Sequence, residues 1–252
     1  MDPNKKGNLL KLITLISALL GCALRAAHYA FGTDGRGLLV RNHWSVLGLW
    51  AVCVLFAAAL VLLGLGITGR REDHPQPSSP LAAAGCFALG AALLISSLQN
   101  FGDFFTGIDL FIWALGLCAG GATIAVGICR LTGKPPYFLL HGLLCLYITL
   151  RTVAVYRHWS ADPQLQDYGF YLTAHAALML SAYHHAAFDA ALSGHRPLWL
   201  SSLAAVFLSC AALPRCEEKL LLAAFALWAF GNLTVLPVRK RRIRPTTQVQ
   251  QP

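Results

Sequence analysis

Charge is scarce in this 252-residue sequence: only 12% of residues are Asp, Glu, Lys or Arg, about half the share found in soluble domains. So few charges cannot clothe a water-facing surface, and a soluble globular protein is excluded. Recognition motifs are absent as well. None of the eight cysteines (Cys22, Cys53, Cys86, Cys118, Cys129, Cys145, Cys210 and Cys216) forms a C-x-x-C pair, and almost all fall within or at the ends of apolar runs. That is the pattern of small buried residues, not of a disulfide framework or a zinc site. No H-E-x-x-H is present. No period-2 alternation marks a membrane barrel, and no internal repeat supports an inverted-repeat transporter. The sequence therefore names no reaction, substrate or cofactor.

What it has in abundance is apolar residues, 56% of the chain. They fall in runs of roughly 17 to 25 residues, the length needed to cross a hydrocarbon core. The expected spans are 9–30, 44–67, 81–98, 107–128, 138–155, 168–190, 198–213 and 220–236. Lipid offers no partners to backbone N–H and C=O groups, so each span must be helical. The expected fold is an all-α integral membrane bundle of about eight helices. It forms a single transmembrane domain over 1–252, in which 237–252 reads as a disordered basic cytoplasmic tail.

The net charge of +9 does not imply nucleic acid, because the basic residues flank apolar runs instead of lining one face. With the N-terminus in the cytoplasm, Lys5, Lys6, Lys11, Arg70, Arg71, Arg130, Lys134, Arg196, Arg239, Lys240, Arg241, Arg242 and Arg244 lie inside, and Arg36, Arg41, Arg157, Arg215 and Lys219 outside. That division, 13 against 5, places both termini in the cytoplasm by the positive-inside rule. The expected partners are the bilayer and its anionic headgroups at the basic side, with a membrane-protein partner or a second copy also open. The acids Asp34, Asp103, Asp109, Asp162, Asp167, Glu217 and Glu218 fall on the outer side. Residues 68–80 read as a solvated cytoplasmic linker. Asp162-Pro163 is an N-cap and N1 pair that would start the sixth helix outside the membrane.

Several motifs carry a functional and a plain reading. Leu19-Leu20-Gly21-Cys22 resembles a lipobox, but Lys11 interrupts the apolar region and the run continues as a signal anchor would. Gly116-x-x-x-Gly120, Ala84-x-x-x-Ala88-x-x-x-Ala92 and the Ala182, Ala186, Ala190 series suit close helix packing. In the sixth span Tyr168, Tyr171, His175, Ala182, His185, Ala186 and Asp189 share an arc of about 100° at helical spacing, and this face should look into the bundle. His185 and Asp189, four apart, are expected to pair. No cofactor is expected. Haem is the one for which ligands are even conceivable, through His28 and His175 at similar depth.

Arg25 and Arg151 lie within spans, where a charge costs at least a few kcal/mol unless it snorkels or finds a partner. Both sit toward the outer ends of their helices. They are expected to converge with His28 on the outer-half acids Asp103, Asp109 and Asp167, as an ion-pair lattice or an outward-facing pocket.

The stretch Tyr156-Arg157-His158-Trp159-Ser160-Ala161-Asp162-Pro163-Gln164-Leu165-Gln166-Asp167-Tyr168, with Leu178-Met179-Leu180-Ser181-Ala182-Tyr183-His184 and Ala187-Phe188-Asp189-Ala190, resembles a pattern in uncharacterised bacterial polytopic membrane proteins. The resemblance covers the fifth and sixth spans. It implies a bacterial cytoplasmic membrane and brings no activity with it.

The leading expectation is small-molecule or ion binding or transport, or a subunit of such a system. A membrane anchor or redox or enzymatic subunit, and a non-catalytic scaffold, are the alternatives. Reporter fusions at Ser79 and in the tail should read cytoplasmic and a fusion at Gln164 external. An external tail would overturn the assigned sidedness.

Overall fold

The computed structural model describes residues 3–32, 40, 43–64, 78–99, 107–159, 165–216 and 218–234, excepting the side chains of 3–6, 158–159, 165–168 and 215. The linker around 65–77, Asp103, the Asp162-Pro163 pair and the 237–252 tail lie outside the described residues, as do the side chains of Asp167 and Tyr168. All regular structure among the described residues is helical. The helices are α1 (Pro3–Phe31), α2 (Trp44–Gly64), α3 (Pro80–Gln99), α4 (Gly107–Thr132), α5 (Phe138–Trp159), α6 (Leu165–Asp189), α7 (His195–Ala212) and α8 (Lys219–Leu233). A single 3-10 turn, Leu213–Arg215, follows α7. Each helix overlaps an expected span, although α1 begins at Pro3 where 9 was expected. Five of them, α1 to α5, are long and apolar enough to cross a membrane by length and composition. α8 is apolar and shorter, at 15 residues.

Local chemistry explains several boundaries. Ser79 precedes Pro80, and its Oγ accepts the Ala82 N–H at 3.3 Å, an N-cap followed by proline at the first helical position. α4 stops at Gly133, whose φ of 69° is the left-handed conformation that closes a helix. Lys134 N–H then donates to Cys129 O at 3.0 Å, and Pro135 and Pro136 prevent continuation.

α3, α4, α5, α6, α7 and α8 each pack on the next, and α8 packs back on α3. Six helices thus close a ring. α1 lies outside it against α7, and α2 against α1. Leu89 and Leu93 of α3, Leu144 and Ile148 of α5, Leu178 of α6, and Phe225 and Trp228 of α8 fill the ring. Leu10, Phe56, Trp199, Leu203 and Phe207 form a smaller core beneath α1 and α2. α2 leaves Leu47, Trp50, Leu55 and Leu62 about two-thirds or more exposed, which costs nothing in contact with acyl chains.

The ring has two ends. Ser79 N–H donates to Arg130 O at 3.0 Å and Ser79 Oγ meets Thr234 Oγ1 at 3.1 Å, so the start of α3 and the ends of α4 and α8 share one end. Lys11 lies over Trp199 at 5.1 Å, which brings the N-terminal half of α1 to the start of α7. We call the end shared by α3, α4 and α8 the near end and the opposite one the far end.

Ring closure depends on glycine. A Cβ at Gly85 would stand 2.8 Å from Leu227 O and 3.0 Å from Trp228 Cα, and one at Gly231 would stand 2.8 Å from Leu81 O. The α3 and α8 backbones therefore touch with no side chain between them. Gly90 and Gly120 do the same for α3 and α4, each Cβ position lying 3.0 to 3.2 Å from the other's carbonyl. The expected Gly116-x-x-x-Gly120 motif is thus an internal contact. In α3 the closest approach runs through Gly85 and Gly90, and of the alanine series Ala92 is buried in the core while Ala84 is exposed.

Gly85→Ala and Gly231→Ala should each lower the melting temperature in detergent, by a loss of about 1–3 kcal/mol for overpacking a tight contact. Gly121→Ala, where a new Cβ meets nothing within 4 Å, should not. A neutral Gly85→Ala would show that the crossing is not the constraint described.

Candidate functional site

The ring interior carries a polar cluster at each end. On α5, Leu144, Tyr147, Ile148 and Arg151 follow helical spacing and face inward. On α6, Tyr171, Ala174, His175, Leu178, Ala182 and His185 do the same. Tyr171 is 8% exposed, and His175 and His185 2% each, so these members of the expected polar face are buried, while the side chain of Tyr168 lies outside the described residues.

At the far end Arg151 is the centre. Its Nη2 donates to Glu218 Oε1 and its Nη1 to the Tyr147 hydroxyl at 3.1 Å. The Tyr171 side chain is also within hydrogen-bonding reach of the guanidinium. The pair is largely buried, with 17% and 28% of the two side chains exposed. One turn deeper, His175 Nδ1 meets Tyr171 O at 3.0 Å and its ring centroid lies 4.1 Å from that of Tyr171. Among the described residues no side chain or carbonyl meets His175 Nε2, Arg151 Nε or Glu218 Oε2. A positive fork, a carboxylate, two phenols and an imidazole edge are therefore held together, with hydrogen-bonding capacity to spare.

The other expected members of an outer cluster are placed differently. Arg25, 7% exposed, lies on α1 outside the ring. It donates to the Tyr29 hydroxyl at 2.6 Å and stacks on Phe170 at 4.5 Å. Arg25 and Arg151 therefore approach α6 at adjacent residues, Phe170 and Tyr171. His28 stacks on His43 at 5.8 Å, with its Nε2 3.2 Å from Val40 O. It belongs to the α1–α2 pair, whereas His175 belongs to the ring interior. Asp109 stands in the first turn of α4, where a carboxylate suits the positive end of the helix. Asp103 and the side chain of Asp167 lie outside the described residues. A carboxylate paired with Arg151 is Glu218, which stands just before α8 and was not among the three expected aspartates.

At the near end Asp189 does not pair with His185 as expected. Its Oδ2 lies 3.0 Å from His141 Nδ1 on α5, off the line of a hydrogen bond. His185 instead stacks on His141, with centroids 5.1 Å apart and planes at 15°. Both rings lean on Trp228, at 5.3 Å and 6.2 Å. Arg130 Nε donates to Asn232 Oδ1 at 3.2 Å, and Asn232 Nδ2 donates to Trp228 O at 3.0 Å. The Arg130 guanidinium is within electrostatic reach of Asp189 and His185.

Arg130, His141 and Asn232 were not expected at a site. Arg130 is 4% exposed and so is not the headgroup-facing charge that its place at a span end suggested. The signal for it was Asn232, a lone amide in an apolar run, since such a group requires a partner in lipid. No group of three or more His, Cys, Asp or Glu among the described residues is arranged to hold a metal ion. No protein-family model, curated protein or solved structure matches the chain, so the reading of both clusters rests on their chemistry.

Arg151→Ala leaves Glu218 charged in a largely buried place and should destabilise the protein. The expected loss lies between the ~1 kcal/mol of an exposed pair and the ~3–5 kcal/mol of a fully buried one. Glu218→Gln added to it should recover part of that loss. Additive effects in the double-mutant cycle would show that the two side chains do not depend on each other.

Proposed function

We propose that this membrane protein binds or transports a small polar molecule or ion, alone or as a subunit of such a system, through the far-end cluster of the helical ring. The observation that carries the reading is the Arg151 and Glu218 pair, closed over by Tyr147 and Tyr171, with His175 Nε2 unpartnered one turn deeper. A structural ion pair needs no buried imidazole with an unmet nitrogen beneath it, whereas a solute that displaces Glu218 from Arg151 would find both an anion receptor and a second hydrogen bond there.

Placement in the membrane follows from charge. We assign the near end to the cytoplasm and the far end to the outside, with all eight helices spanning and both termini inside. The excess of basic residues at span ends on the near side supports this. The resemblance over the fifth and sixth spans supports a bacterial cytoplasmic membrane.

The purified full chain in lipid nanodiscs should show a ligand-dependent rise in melting temperature for a subset of a panel of small anions, cations and zwitterions. His175→Gln should abolish that rise while the ligand-free protein still melts cooperatively. An unresponsive wild-type protein across the panel, together with no uptake into proteoliposomes, would remove the proposal.

A further inference from the structure

The near-end cluster holds more polar capacity than its packing uses. Arg130 of α4, His141 of α5, His185 and Asp189 of α6, and Trp228 and Asn232 of α8 come from four of the six ring helices. Their side chains are all 4% exposed or less. Among the described residues six of their atoms have no hydrogen-bond partner; His141 Nδ1 and Asp189 Oδ2 face each other at 3.0 Å, which leaves four, Arg130 Nη1, His141 Nε2, His185 Nε2 and Trp228 Nε1, with no such counterpart. Leaving such a group unmet costs about 1–3 kcal/mol, and four in one place is far from the usual case of buried polar groups that find partners. Two of the four, Arg130 Nη1 and Trp228 Nε1, can only donate.

Charge balance says what would meet them. Arg130 and Asp189 offset each other, so with both imidazoles neutral the cluster carries no net charge. Asp189 beside Nδ1 favours the His141 tautomer with its hydrogen on that nitrogen, which leaves Nε2 as an acceptor. A proton added to Nε2 makes it a third donor and gives the cluster one positive charge. His141 is the ring that would take the proton, because the carboxylate is beside it. The stacked His185, 5.1 Å away, would then stay neutral by repulsion. The other titratable groups around this locus are Cys86 on α3, Cys129 on α4 and His184 on α6. None of them supplies a second negative charge in the thiol or neutral imidazole form.

We infer that the near-end cluster is a binding site for one small monovalent anion, taken up together with one proton on His141. The anion accepts from Arg130 Nη1, Trp228 Nε1 and His141 Nε2. The proton comes from the adjoining solution, no bond is made or broken elsewhere, and the occupied cluster has the same net charge as the free one. This inference does not rest on the far-end proposal. Because the anion is taken up with a proton, its affinity falls as the pH rises.

Acetate is a suitable probe, titrated into the purified full chain against a bulky sulfonate at constant ionic strength. At about pH 5.5 it should raise the melting temperature by several degrees and at about pH 8 by much less. In weak buffer at the higher pH, uptake should approach one proton per acetate bound. His141→Gln, which cannot take the proton, should remove the pH dependence. Trp228→Phe keeps the packing ring and deletes one donor, and should weaken acetate about tenfold, the equivalent of ~1.4 kcal/mol. Chloride reproducing the same pattern would also support the site. Acetate stabilisation that is absent, or equal at both pH values, or unchanged in both variants, would overturn it. So would stabilisation lost in His175→Gln but kept in Trp228→Phe, since that would move the anion to the far end. If Trp228→Phe does not fold, His141→Gln and the proton count decide.

Discussion

Direct contact between the α3 and α8 backbones, made possible by Gly85 and Gly231, is the constraint on which both polar clusters depend. It turns a row of helices into a closed ring and gives the chain an interior shielded from lipid and headgroups alike. At the near end it brings Trp228 and Asn232 of α8 across from the α5 and α6 histidines. At the far end the same placement of α8 sets Glu218, just before its first turn, over Arg151. Apolar attraction cannot close such a ring in lipid, where acyl chains solvate leucine as well as leucine does. Close approach of small residues and hydrogen bonds between helices take over that role, and the Ser181 to Ser202 contact at 2.9 Å between α6 and α7 is a further instance.

The two ends solve a similar electrostatic problem with different surpluses. Each sets one arginine within reach of one carboxylate, so neither leaves a net charge in a medium that would penalise it heavily. The far end adds phenols, which hydrogen-bond without changing charge, and keeps the pair partly open to solvent. The near end adds two imidazoles stacked on each other and is closed. The ring thus has an ion pair toward each mouth and an apolar layer of Leu93, Leu144, Leu178 and Phe225 within it.

α1 and α2 stand apart from this design. They attach to α7 through Leu10, Trp199 and Phe207. Arg25, buried like the ring residues, has Tyr29 and the Phe170 face among its partners.

Much of the architecture was legible in the residues themselves. Hydrogen-bond starvation in lipid forces any long apolar run to be helical, so the eight helices and the all-α class follow from composition and run length. The inward face of α6 follows from helical spacing, because Tyr171, His175 and His185 repeat on one side whatever surrounds them. The partners were a different matter. Asp189 could reach His185 four residues away or His141 on the next helix, and Arg151 had several acids at its depth. Nothing local ranks such choices, since they depend on how helices are rotated and on where the α7–α8 connection crosses the ring mouth. Arg130 read as a surface charge for the same reason: only the closure of α8 on α3 places Asn232 over it and takes it out of reach of the headgroups. Periodicity along one helix could be read from the chain, but the order of helices around the ring, and with it every charge partner, was decided by the tertiary contacts that glycine permits.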